Sequence, residues 1–215
     1  MNTIFLLLGL VLTVLGLVLG LAIKRRGGAV LAVLGLVVIV LGFSFVIVPT
    51  GYTGVRTTFG QVSDTVVSQG FNLKVPFVQN IVLVNNKQQD TLISAQVWGE
   101  TQERTPVYAS EVTVTYQIRS DKSAWIFANV TDTDSLVSQD LVGSAIKSAM
   151  VELPADEVTI RSRIEPMVKE KLTASVAEKY GNDTISILKV VINQMDFEDS
   201  YNEAIAAKSI AQQEQ

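Results

Sequence analysis

The sequence predicts an α+β fold carried on a two-helix transmembrane hairpin. Three observations lead there. Two runs of 20 residues, Ile4 to Ile23 and Ala29 to Val48, contain no charged side chain. Short β-branched and aromatic segments then follow between glycines and prolines, and the second half carries the three- and four-residue spacing of amphipathic helices.

A helix rises about 1.5 Å per residue, so about 20 apolar residues cross a hydrocarbon core roughly 30 Å thick, and each run qualifies. A cleaved signal peptide fits poorly. Met1, Asn2 and Thr3 supply no basic start, the apolar stretch is too long, and Lys24-Arg25-Arg26 stands on its far side. Residues 1–48 are therefore read as a hairpin spanning the bilayer twice. The segments Leu8 to Gly16 and Leu34 to Gly42 agree at seven of nine positions. Gly9 and Gly16 lie seven apart, as do Gly28, Gly35 and Gly42, and Gly16 with Gly20 adds a small-xxx-small spacing; such residues let helices approach closely where lipid supplies no hydrophobic driving force. Lys24, Arg25 and Arg26 form the short basic link, which the positive-inside rule places in the cytoplasm. The remainder would then be extracytoplasmic on a multi-pass cell-membrane protein.

After Val48 lie all 21 acidic but only 14 of the 17 basic residues, a net charge of −7. Such a domain is a poor partner for nucleic acid or for an anionic lipid surface. Pro49, Gly51 and Gly54 mark the exit from the membrane. Val55 to Phe59, Phe71 to Val75, Ile81 to Val84 and Leu92 to Val97 read as short strands. The clearest strand is Val107 to Arg119, where Val112, Val114, Tyr116 and Ile118 alternate with polar residues. Asp121 is expected to cap a short helix holding Ala124, Trp125 and Phe127. Asp132 or Asp134 is expected to cap a longer one with Leu141, Ala145, Ile146 and Ala149 on its buried stripe. A third helix is expected from about Asp156 to Tyr180, kinked or restarted at Pro166 and stopped by Gly181. Ile185 to Ile192 reads as a strand, and Asp196 to Glu203 as the opening of a final helix. Ala204, Ala207 and Ala211 fall at coiled-coil spacing, which points either to a long helix that continues or to a frayed end.

With no cysteine and no histidine, thiol and Ser-His chemistry and zinc sites built on Cys or His are excluded. The acidic pairs Asp132 with Asp134, Asp156 with Glu157, and Glu198 with Asp199 each stand where a helix should begin, so capping accounts for them. No Gly-x-Ser-x-Gly elbow frames a serine. Asn129-Val-Thr131 and Asn182-Asp-Thr184 match the glycosylation pattern, relevant only to a eukaryotic secretory protein. Tyr108, Tyr116 and Trp125 read as core or interfacial residues. Trp98, beside Gly99, is expected to pack between subdomains or at a neighbouring subunit, and Tyr52 to lie at headgroup level. No catalytic residue, cofactor site or metal ligand is assigned, and the chain is read as a non-enzyme.

The anchor, then Val48-Pro-Thr-Gly-Tyr-Thr-Gly-Val-Arg-Thr-Thr-Phe-Gly60 and Gly70-Phe-Asn-Leu-Lys-Val-Pro-Phe77, resembles the start of the stomatin/prohibitin/flotillin (SPFH, band-7) domain. Further matches are Val112 to Ile118, Glu170-Lys-Leu to Tyr180-Gly181, and Ile185 through Val190-Val-Ile to Met195-Asp-Phe197. The likeness is nearest to the prohibitin-like bacterial branch. It implies a scaffold domain over residues 49–197, with a β-rich half (49–105) and an α/β half (106–197) made of small antiparallel-type sheets packed with helices. Residues 198–215 would begin a long C-terminal coiled-coil-type helix. The resemblance further implies a homo-oligomeric ring or cage on the lipid bilayer that organises a microdomain, or alternatively a regulatory subunit of an FtsH-type membrane protease or a channel. Relatives differ in having one spanning helix or a re-entrant hairpin, and a long coiled coil after the domain. On the hairpin reading, single cysteines introduced after Val48 should react with membrane-impermeant reagents in intact cells. Reaction with permeant reagents alone would place the domain on the opposite side.

Overall fold

The computed structural model describes residues 2–21, 26–133, 135–204 and 207. The chain divides into two compact units. One comprises Met1–Asn85 with Ser123–Asn129, and the other Asn86–Lys122 with Val130–Gln215. The division thus falls after Asn85 and not at 105/106, and the short helix α3 (Ser123–Asn129) belongs to the first unit, where it packs on two of its strands.

The first unit opens with α1 (Asn2–Leu21) and α2 (Arg26–Phe43), packed antiparallel. Their contact is built on glycine. A Cβ on Gly16 would come within 2.8 Å of the Gly28 carbonyl and of the Ala32 Cα. One on Gly35 would come within 2.8 Å of the Gly9 carbonyl, and one on Gly9 within 2.5 Å of the Ile39 side chain. Gly28 faces the Gly20 backbone at closer range still. The seven-residue spacing seen in the sequence is therefore a packing surface, along which backbone meets backbone. Thr13 keeps its hydroxyl satisfied within its own helix by donating to the Gly9 carbonyl at 2.7 Å. Lys24 and Arg25, on which the predicted orientation depends, lie outside the described residues. Among the described residues no helix is long and apolar enough to cross a membrane.

The second apolar run does not stay helical to Val48. It leaves the helix at Phe43 and becomes β1 (Phe45–Val48), which pairs antiparallel with β4 (Gly70–Leu73). Ser44 closes the helix: its N–H donates to Leu41 O at 3.0 Å and its hydroxyl to Val40 O at 2.8 Å. The four residues that follow are β-branched or aromatic, which suits a pleated ladder better than another helical turn. β2 (Tyr52–Thr58) lies between β3 (Gln61–Val67) and β5 (Gln79–Asn85), both antiparallel to it. β3 is absent from the sequence reading because Ser63, Asp64 and Thr65 interrupt its apolar pattern. Val48, Val67 and Ile81 form the core here, with Val46 and Tyr52 against them. Gly54 sits among them without room for a side chain: a Cβ would stand 2.7 Å from Ile81 Cγ2 and 3.2 Å from Val48 Cγ2. Gly51, at φ 82, forms the turn before it.

The second unit is organised by β8 (Pro106–Ile118). Along one edge it pairs with β9 (Ile185–Phe197), and it also pairs with β6 (Gln89–Ile93) and β7 (Val97–Glu100), all antiparallel. The expected strand Leu92 to Val97 is thus two strands meeting different stretches of β8. Burial along β8 falls on Val107 and Ala109, then on Val112, Val114, Tyr116 and Ile118. The shift from odd to even positions occurs at Glu111, whose φ of 52 breaks the pleat. Asn193 on β9 donates its amide to the Glu111 carbonyl at 3.0 Å.

α4 (Gln139–Glu152) is capped by Ser138, whose hydroxyl accepts from Leu141 N at 3.4 Å. Of the expected caps, Asp132 accepts instead from the Ser135 hydroxyl at 2.6 Å, and Asp134 lies outside the described residues. The buried stripe is Val142, Ala145, Ile146, Ala149 and Met150, so Val142 takes the place expected for Leu141. The third helix is divided at Thr159 and Ile160 into α5 (Ala155–Val158) and α6 (Arg161–Tyr180), and Pro166 lies inside α6. Ile164 and Val168, both fully buried, hold that turn in place by packing. With Leu172, Val176 and Tyr180 they form a stripe at four-residue spacing. Three other α6 side chains at that spacing reach the outer edge of β9. Arg161 donates to Asn193 O at 2.8 Å, Glu165 accepts from Ile192 N at 2.9 Å, and Lys169 donates to Leu188 O at 2.8 Å. They satisfy backbone groups that a bare strand edge would expose. β9 runs five residues beyond its expected end, and helix resumes at 199–204 and at 207.

Replacing Gly28 by Leu puts a side chain against Gly16 and Gly20 backbone, and overpacking of this kind costs roughly 1–3 kcal/mol. The expected result is a lowered unfolding midpoint of the full chain in a detergent-micelle titration. Gly27→Ala, where a Cβ meets nothing within 4 Å, is expected to leave the midpoint in place.

Candidate functional site

The residues weighed for chemistry are dispersed. Asp156 and Glu157 occupy the first turn of α5, and Glu157 pairs with Arg163 at 3.8 Å across the α5–α6 junction. Glu198 stands immediately before the resumed helix, where Tyr201 N donates to its carbonyl at 3.0 Å. Asp196, one residue earlier than the pair singled out, accepts from Phe197 N at 2.8 Å and from the Asn202 amide at 3.2 Å. Among the described residues no group of three or more Asp, Glu, His or Cys is placed to hold a metal ion. Asn129, in the first glycosylation pattern, donates its side-chain amide to Trp125 O at 2.8 Å.

The aromatic residues separate into core and surface. Tyr116 is buried in β8, and Tyr180 is buried with its hydroxyl donating to Leu136 O at 2.8 Å. Tyr52 is half-buried against the core of the first unit, which is where the expected headgroup residue lies. Trp98, 45% exposed, stacks at a tilt on Tyr108 with ring centroids 4.9 Å apart. It borders an open polar groove of about 570 Å³ against α4, with Gln139, Asp140, Ser144 and Lys147. A second groove of about 480 Å³ lies by Tyr108, Arg161, Asn193 and Asp196, but Arg161 is already spent on the β9 backbone.

On α6, Lys171 bonds to the Glu152 carboxylate of α4. That hydrogen bond raises the lysine above its ordinary 10.5, with burial opposing and the charges of Glu152 and Glu170 adding to it.

The largest continuous feature is apolar. On the hairpin, Leu7, Leu10, Val14, Leu17, Val33, Leu36, Val37 and Val40 all face outward, while the glycines face inward. At the end of α2 this surface passes directly to the β1–β4 ribbon. Ile47 lies opposite Phe71, and Phe45 opposite Leu73, on one face of the ribbon. Phe71 and Leu73 are each 64% exposed, and Val75 and Phe77 extend the alternation past β4. Phe77 is 86% and Phe59 83% exposed. Phe59 N donates to Val78 O at 3.0 Å, so both belong to one tip. Phe43 meets Phe77 at 5.9 Å between ring centroids, and Phe45 meets Phe71 at 5.7 Å. The sequence reads Phe71 to Val75 as a short strand without assigning its faces. The alternation was visible, but a period of two does not say which face is covered.

With these positions known, comparison with known proteins places residues 46–215 in the SPFH domain / Band 7 family. The chain belongs to that family. It is 21% identical to prohibitin-2 of Bos taurus over 161 residues, covering 72% of this chain and 50% of the relative. It therefore spans about half the length of the curated relative it matches. Prohibitin-like SPFH proteins are membrane-associated and are in general scaffolds and not enzymes. The SPFH match begins at Val46, inside β1.

Because the folded Lys171 is raised, its stabilising contribution is complete below pH 10.5 and lost as pH rises through the folded value. Glu152→Gln should bring the Lys171 titration, followed by NMR of the side-chain ammonium region, back toward the ordinary lysine range.

Proposed function

We propose that this SPFH protein is a scaffold anchored in the cell membrane by the α1–α2 hairpin, which assembles laterally with copies of itself into a large ring or cage. The observation that carries the anchor is the distribution of side chains on the hairpin. Glycine backbone is packed inward, and Leu and Val project outward around both helices with no charged residue between Ile4 and Ile23 or between Ala29 and Val48. A helical pair in water would turn that apolar surface inward. In a bilayer the same surface is solvated by lipid chains, and close contact between small residues holds the pair.

Function on this reading is carried by surfaces. The SPFH units would stand side by side at the membrane, on the extracytoplasmic side if the basic link is cytoplasmic. They would be joined through domain edges and the helix that resumes at 199. Such an assembly corrals lipids and proteins into a microdomain. Support comes from the family membership and from the exposed Trp98 beside an open groove, a side chain of the type enriched at protein interfaces.

Full-length protein in mild detergent is expected to run as a very large, discrete assembly by multi-angle light scattering. A monodisperse monomer would sink the scaffold reading. Co-purification with a membrane protease or channel at fixed stoichiometry, without a homo-oligomeric ring, would replace it by that of a regulatory subunit.

A further inference from the structure

The sheet of the second unit finishes its edges at β9 and at β7 in different ways. Along β9 the α6 side chains Arg161, Glu165 and Lys169 take up outward backbone groups. On β7 the corresponding groups are open, and Pro106 fixes which they are. Glu100 stands opposite Pro106, which has no N–H, so that pair cannot exchange two ladder bonds. The ladder bonds therefore belong to Val97 with Ala109 and to Gly99 with Val107, and Thr101 N, donating to Thr105 O at 3.0 Å, keeps the same alternation. Trp98 and Glu100 are left with N–H and C=O directed away from β8. Among the described residues, no backbone bond outside the ladder reaches either.

That edge borders the open groove of about 570 Å³, and α4 forms its wall. The helix runs in step with the strand. A Cβ on Gly143 would lie 3.9 Å from the Val97 side chain, and one on Gly99 would lie 3.7 Å from Lys147 Cγ. Four helical residues rise about 6 Å and two strand residues about 6.6 Å, so Gly143 and Lys147 match Val97 and Gly99 in spacing. Trp98, between the two, turns its ring to the opposite face, onto Tyr108. The charges differ from end to end. Asp140 stands in the first turn of α4, while Lys147, at the far end, enters no ion pair with a described residue.

We propose that an extended segment of another protein adds to β7 as a further strand, held between that edge and α4. Its backbone pairs with Trp98 and Glu100 while alternate side chains face the helix, so the main chain supplies affinity and the side-chain seats supply specificity. The residue opposite Val97 is small, because it lies over Gly143. The residue opposite Trp98 is apolar and packs on the indole as a cross-strand neighbour. The residue opposite Gly99 is acidic and reaches Lys147, whereas Asp140 repels the same charge at the other end. Read from its N-terminus, a segment antiparallel to β7 is acidic, apolar, small, and a parallel one is the reverse. This goes beyond the scaffold reading and needs no ring.

Full-length protein in mild detergent is titrated with two fluorescent, end-blocked peptides, Thr-Gln-Glu-Val-Ser-Thr-Gln and the reversed sequence, and binding is read by anisotropy. One of the two should bind severalfold more tightly than the other. N-methylation of its valine removes the N–H offered to Trp98 O, and Gly143→Leu fills the groove where a Cβ meets only Val97; each should weaken binding severalfold. Exchanging the peptide's glutamate for lysine should weaken it too, and Lys147→Glu should restore the lysine peptide. That charge exchange carries the test even where Gly143→Leu lowers the unfolding midpoint. The chain has no cysteine, so Ser144→Cys reports access to a water-soluble maleimide, with fast labelling expected alone and slow labelling with peptide. Binding by neither peptide, or binding that Gly143→Leu and Lys147→Glu leave unchanged, would overturn the proposal. Protection of Ser144→Cys before peptide is added would do the same, since a neighbouring copy would then fill the groove. Light scattering on the same samples reads assembly separately, so failure of the ring and failure of the peptide site are told apart.

Discussion

At Ser44 the chain stops being helix and becomes strand, and the first unit is built around that change. Ser44 bonds back to Leu41 and Val40, and its carbonyl takes the Lys74 amide, so the helix end, β1 and the segment after β4 are fixed together within a few residues. Val48 then enters the core, and the strand following it lies close enough that Gly54 has no space for a methyl group. Between α2 and the first strand of the SPFH domain there is a single residue, Ser44, and no longer linker.

Much of this was legible in the sequence, for reasons that differ from one element to another. The glycine spacing in the hairpin could be read because close helix contact has few solutions, and the small residues mark it. Val112 to Ile118 could be read because one side of β8 is buried and the other wet. The family could be read from Val48 to Gly60, where Gly51 and Gly54 are required by a turn and by packing. Where the reading failed, two structures satisfied the same pattern. An unbroken apolar run from Ala29 to Val48 does not distinguish helix from strand, so β1 was hidden in it. Asp132 and Ser138 are both good capping residues, and only the start of α4 chooses Ser138. Pro166 argues on local grounds for a kink or a restart; the helix does not restart there, because the buried stripe on either side outweighs the one lost hydrogen bond.

Of the candidate surface, the hairpin was visible from its composition and the ribbon was not. Phe71, Leu73, Val75 and Phe77 look like the inward half of an ordinary strand. They become a surface only because Val46 and Val48, pointing the other way from β1, already fill the core of that unit. Sequence periodicity counts faces. Only three-dimensional packing says which face has been used.

Glu111 has a meaning for how this family domain tolerates change. Strands assign side chains to one face or the other by parity, and β8 changes parity once, at a single left-handed residue that the Asn193 amide holds in place. Losing that residue would put Val107, Ala109, Val112, Val114, Tyr116 and Ile118 in one unbroken alternation, but would slip everything beyond it by one residue against β9. Loops elsewhere in the chain can absorb an insertion or deletion. At this point the loss of one codon would set the faces of β8 against the register of its neighbour.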